Sequence, residues 1–130
     1  MEIINSNTRK KAQKFSMKAR LRSFSYAFNG IQDLFSSEQN MFVHLLATVV
    51  VIMLGFVFHI SPIEWTVLIL ATGFVWVAEI LNTAIEKIMD FISGEKKPQI
   101  KFIKDISAAA VLVSAVTALA AGCLIFIPKL

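Results

Sequence analysis

One cysteine, Cys123, stands in 130 residues. A single thiol excludes any disulfide within the chain, and its place inside a long apolar run points to a buried, inert side chain. Phosphate-cradling glycine loops are missing too: neither G-x-x-x-x-G-K-[ST] nor G-x-G-x-x-G occurs. That removes the soluble nucleotide-binding folds built on those loops. No secretory signal is expected, because the first apolar run begins far from Met1. Formal charge is absent from two long stretches, Met41 to Ile60 and Ile106 to Ile127. Lysine and arginine are absent from the connection His59-Ile60-Ser61-Pro62-Ile63.

What is present is hydrocarbon. The hydrophobic fraction is 56% and the mean hydropathy is +0.68, above the usual share for soluble domains. The excess is gathered into runs: the two uncharged stretches, and between them a third segment from Ile63 to about Asp90. About twenty residues of helix cross a bilayer core. The expectation is an all-α membrane protein with three transmembrane helices, at about 39–60, 63–92 and 104–127. A polar basic tail at 1–16 precedes a membrane domain at 17–130. From Met17, apolar residues recur at Leu21, Phe24, Phe28, Ile31 and Phe35, a stripe at helical spacing. This predicts an amphipathic helix at about 17–36 resting in the membrane interface, as an anchor or as a lid for a site at that surface.

Residues 1–40 carry seven lysines and arginines, and the second connection carries Lys87, Lys96, Lys97, Lys101 and Lys104. The positive-inside rule places both on the cytoplasmic side and the C-terminus outside. The net charge of +4 then reflects topology and attraction to anionic lipid; no nucleic acid partner is expected. At the mouth of the first span, Glu38 suits the first turn of a helix, with Ser37 as its cap. His44, one turn inside, reads as a hydrogen-bonded packing residue or, less readily, a ligand. Trp65 suits a membrane interface. In the third span Ala110, Ser114, Ala118 and Gly122 fall at four-residue spacing, which allows close helix packing.

The second span is where chemistry enters. It runs without a break into Glu79-Ile80-Leu81-Asn82-Thr83-Ala84-Ile85-Glu86-Lys87-Ile88-Met89-Asp90. At about 100° per residue, Glu79, Asn82, Glu86 and Asp90 fall on one narrow stripe, with apolar residues opposite. A charged residue central in a membrane helix costs roughly 2.5–3.5 kcal/mol on insertion scales, so such groups are functional candidates. Glu79 lies about 16 Å deeper than Asp90 along the helix. It is the costliest group and the candidate general base. Glu38 and Glu86 lie nearer the headgroups. Two carboxylates, with waters and substrate phosphates, are what Mg²⁺ asks for. Lys104 could offset phosphate charge, and Asn82 and Asp105 could hold hydroxyl, water or ribose groups. Together they suit phosphoryl transfer from Mg-ATP to a lipid alcohol. A chain with so few walls implies sites shared between subunits. A proton- or cation-coupled transporter, or an accessory subunit using the same stripe, is the alternative. A transporter needs its acid reachable from both sides, whereas this stripe runs out to one surface.

The segment E-I-L-N-T-A-I-E at 79–86, Asp90, and Lys104-Asp105 followed by Ser107 to Leu112 resemble the small prokaryotic diacylglycerol kinase family, which includes the undecaprenol kinases. Phe24 to Gly30 and Glu38-Gln39-Asn40 with His44 carry the likeness upstream; it covers roughly residues 20 to 128. The resemblance implies a homotrimer in the cytoplasmic membrane, with active sites between subunits that use ATP and Mg²⁺ to phosphorylate a lipid hydroxyl. By position, Glu79 matches the base, Glu38 and Glu86 the metal-associated glutamates, and Asn82, Lys104 and Asp105 other active-site residues. Tyr26 matches an aromatic near the nucleotide. The spacing of Glu38, Asn40 and His44 and the ending Phe126-Ile127-Pro128-Lys129 look more like the undecaprenol kinase branch.

Overall fold

A computed structural model describes residues 14–130. The tail expected at 1–16 therefore lies almost wholly outside the described residues, as do Arg9, Lys10 and Lys11. Among these residues four α-helices follow one another, α1 (Met17–Ser37), α2 (Asn40–Val57), α3 (Pro62–Ile92) and α4 (Pro98–Phe126), with a 3₁₀ turn at Ile127–Lys129. No strand occurs among the described residues.

The chain divides into two compact units after Ser37. The first contains α1, an unbroken helix with no buried residue. Met17, Leu21, Phe24, Phe28 and Ile31 are all exposed on it, on the stripe expected for an interfacial helix. Gly30 and Asp33 do not interrupt it.

The second unit holds the three spans, each long and apolar enough to cross a bilayer. Its large apolar side chains are overwhelmingly exposed; among the described residues only Met41, Ile60, Leu68 and Ile125 are buried hydrophobics. Apolar surface on this scale is untenable in water and ordinary in lipid, where packing and hydrogen bonds hold helices together. The chain is an all-α membrane protein.

Local chemistry explains the breaks between spans. Helix α2 ends in a Schellman motif: the Ile60 amide donates to the Gly55 carbonyl at 3.2 Å and the His59 amide to Phe56 at 3.3 Å. His59 takes the left-handed conformation this requires, at φ 48°. Two residues on, a reciprocal capping box opens α3. Ser61 Oγ accepts from the Glu64 amide at 3.2 Å, and Glu64 accepts from the Ser61 amide at 2.7 Å. Pro62 fills the first helical position, as expected. Lys129 Nζ reaches Glu64 at 3.2 Å, tying the end of the chain to the start of α3.

Helices α3 and α4 form the closest antiparallel pair, and α2 touches α3 at fewer points. Buried Leu68, Ile125 and Ile60 pack together at the end away from the acidic stripe. Trp65, expected at the interface, lays its ring over Gly55, where a Cβ would meet ring carbons at 2.6 Å. The small-residue row of α4 is uneven: Ser114 is wholly buried, Ala118 and Gly122 are half-buried and Ala110 is exposed.

Helix α4 begins at Pro98, ahead of the span expected from about residue 104, because the fixed φ and missing N–H of proline suit the first helical turn. Two expectations are corrected. Ser37 does not cap α2; it closes α1, and the capping position is Gln39, without a side-chain bond. Cys123 is exposed on the isolated chain, where it borders the open groove between the three spans.

Candidate functional site

The site is built where α2, α3 and α4 meet along the stripe of α3. Glu79 is 5% exposed and Asn82 and Thr83 are also buried, whereas most apolar side chains of this helix face outward. The inversion has a simple cause. In hydrocarbon, polar groups must find partners inside the protein, so the polar stripe becomes the packing face.

Each member of the stripe has a partner. His44 Nε2 of α2 stands 3.3 Å from Glu79 Oε2. One turn further along both helices, the Trp76 indole donates to Thr48 Oγ1 at 2.9 Å, and Thr48 donates to the His44 carbonyl at 2.7 Å. In the other direction, Lys87 Nζ lies 3.0 Å from Glu38 Oε1. These three pairs step in opposite senses along α2 and α3, the register of antiparallel neighbours.

On the α4 side, Ser107 donates to Asn82 Oδ1 at 2.6 Å and Asn82 Nδ2 donates to Glu86 Oε1 at 3.2 Å. With its oxygen engaged by Ser107, the amide of Asn82 is oriented to present its hydrogens to Glu86. Lys104 pairs with Asp90 across the α3–α4 join. Asp105 pairs with Lys101, one turn back on the same helix.

Beside the Glu79–His44 contact lies an apolar groove of about 430 Å³ between the three spans. His44 and Trp76 line it towards the stripe, small residues such as Ala71, Ala118 and Gly122 line its middle, and Phe126 lies towards the far end.

Of the residues expected from sequence, Glu79, Asn82, Glu86 and Glu38 are joined to neighbours along one face of the α2–α3–α4 assembly. Lys104 joins through Asp90 rather than through Glu86. Asp105, half a turn from Ser107, is exposed and held by Lys101. Tyr26 belongs to the other unit, where it is exposed on α1. Ser107 and Thr48 went unassigned, although a hydroxyl beside a polar stripe in a membrane helix is a signal for interhelical hydrogen bonding.

The matching family model is that of prokaryotic diacylglycerol kinase, over residues 25–126. The chain belongs to the prokaryotic diacylglycerol kinase family. It is a lipid kinase. It is 40% identical over 109 residues to the undecaprenol kinase of Bacillus subtilis (strain 168), an alignment that covers 84% of this chain and 89% of that protein. It is 36% identical over 112 residues to a diacylglycerol kinase of Synechocystis sp., covering 85% of this chain and 64% of that longer protein.

A family of this kind implies ATP with Mg²⁺, and the donor set allows a test of fit. Among the described residues no group of three or more His, Cys, Asp or Glu side chains gathers as a metal cage. Glu38 and Glu86 are hard oxygen donors, and Lys87, next after Glu86, pairs with Glu38. One or two carboxylates are what Mg²⁺ takes when it arrives with phosphates and water. By donor chemistry, these two carboxylates fit a magnesium ion in that role.

Proposed function

We propose that this kinase transfers the terminal phosphoryl group of ATP to the hydroxyl of undecaprenol at the cytoplasmic surface of the membrane, with Glu79 as general base. The observation that carries it is a buried glutamate on a membrane helix, on a stripe whose other acids lead to one end. Undecaprenol is favoured over diacylglycerol by the bacillar relative, which matches nearly end to end. Diacylglycerol is the second reading, supported by the cyanobacterial relative.

In this mechanism the lipid hydroxyl comes to Glu79 from the hydrocarbon side, its chain running in apolar surroundings such as the groove beside His44. Glu79 takes the hydroxyl proton as the lipid oxygen bonds to the terminal phosphorus. The bond from that phosphorus to the bridging oxygen breaks, and ADP leaves to the cytoplasm. Glu38 and Glu86 would hold Mg²⁺, which supplies charge neutralisation on the phosphates. Lys104 offsets phosphate charge, and Asn82 keeps Glu86 in place. Asp105, near the start of α4, contacts the nucleotide. Positioning and charge carry most of such a transfer.

The working form is a homotrimer with sites completed between subunits, N-terminus in the cytoplasm. The exposed faces of α2 and α4 support this reading, since lipid or a second copy must cover them. The test is a phosphotransfer assay in membranes with labelled ATP, offering undecaprenol and diacylglycerol side by side. Labelled undecaprenyl phosphate is the expected main product. Labelled phosphatidic acid alone would replace the acceptor, and no lipid product would overturn the reading.

A further inference from the structure

A carboxylate that acts as base needs aim as well as basicity, and at Glu79 the aim comes from a different helix. His44 Nε2 stands 3.3 Å from Glu79 Oε2, long for an N–H···O bond and within the distance that closes when a site engages its substrate. The main chain that carries the histidine is itself held in place. Thr48 donates to its carbonyl, and the Trp76 indole donates to Thr48, so α2 is bolted to α3 one turn from the Glu79 contact. The Trp76 ring also flanks the imidazole, with centroids 6.3 Å apart and planes tilted by 58°.

The residue type matters. A lysine or arginine at position 44 would bring a full charge into the hydrocarbon layer and a competing partner for a base. An imidazole can donate one N–H without formal charge, through a ring with only two side-chain torsions.

We propose that His44 is the positioning residue of the kinase: its Nε2–H holds one oxygen of Glu79 so that the other meets the lipid hydroxyl. This rests on Glu79 being the base. The imidazole takes no part in the transfer itself; the hydroxyl proton goes to Glu79, and His44 fixes where that carboxylate points. Misplacement of a catalytic group by about 1 Å can lower turnover about 10²-fold.

The experiment uses the full chain in phosphatidylethanolamine–phosphatidylglycerol vesicles with undecaprenol and labelled ATP. His44→Leu removes the donor, and His44→Gln restores an N–H on a side chain of similar reach. The expected result is a kcat about 10²-fold lower for His44→Leu, an ATP KM within about two-fold of wild type, and recovery of most of the loss by His44→Gln. Wild-type turnover in His44→Leu, or equal loss in both variants, would overturn the proposal.

A second measurement covers a variant that fails to insert. In protein labelled with ¹⁵N-histidine, the Nε2 resonance of His44 is expected to move on Glu79→Gln, while His59, the other histidine, stays in place as reference. An unmoved His44 resonance would also overturn it. Failure of the Glu79 reading is distinct: Glu79→Gln would then phosphorylate undecaprenol at the wild-type rate, whatever the histidine spectrum shows.

Discussion

At the scale of single residues, the lipid kinase separates its acids by partner. Glu79 meets a histidine, Glu86 an amide, Glu38 and Asp90 a lysine each. Only the groups near the headgroups meet full positive charge, which follows from the cost of placing charge in hydrocarbon. Glu79→Gln is expected to leave an inserted, folded protein with lipid phosphorylation lowered by at least about 10²-fold, read as labelled lipid per unit protein. Glu38→Ala and Glu86→Ala should raise the Mg²⁺ concentration needed for half-maximal rate, and an unchanged Mg²⁺ titration would remove the metal role from both. For Ser107→Ala, loss of the 2.6 Å bond to Asn82 should cost about 1 kcal/mol of stability and loosen Asn82 against Glu86. Thermal unfolding in detergent checks the first effect and turnover the second. The stripe itself was legible in the sequence, because helical periodicity puts Glu79, Asn82 and Glu86 on one face. Their partners were not. Periodicity says which residues share a face of one helix and nothing of which residue on another helix will stand opposite.

Among the elements, the connections carry more specification than their length suggests. His59 sits in the left-handed conformation at the end of α2, which costs a non-glycine residue on the order of 1 kcal/mol. His59→Gly is therefore expected to stabilise the fold by up to about 1 kcal/mol, provided the Schellman bonds persist. Gly55→Val does the reverse. Its side chain would enter the Trp65 ring and should destabilise by about 1–3 kcal/mol, seen as a lower unfolding midpoint in detergent. Three spans and one surface helix could be read from run length and spacing alone. The start of α4 at Pro98 could not be read from hydropathy, since Gln99, Lys101 and Lys104 are polar although helical. The capping box at Ser61 and Glu64 was present as an S-x-x-E pattern. Trp65 went to packing because Gly55 leaves a flat place for its ring.

For the whole molecule, exposed apolar surface is the dominant fact. Three spans hide few side chains within one chain, and the membrane or further copies must cover the rest. Crosslinking of the kinase in mild detergent is expected to give bands up to a trimer, and a strictly monomeric active species would sink the shared site. Family membership follows from a match over most of the chain, but the choice of lipid does not, since relatives named for two different lipids both align. The acceptor depends on the shape of an apolar surface, which residue types describe poorly. The central claim is that Glu79 takes the proton from a lipid alcohol during transfer from ATP. Its most direct test is a single-turnover assay of wild type and Glu79→Gln in undecaprenol-containing vesicles with γ-labelled ATP. Rapid labelling of the lipid by wild type, and none by Glu79→Gln with ATP still bound, is the expected result. Labelling by Glu79→Gln at the wild-type rate would contradict the account.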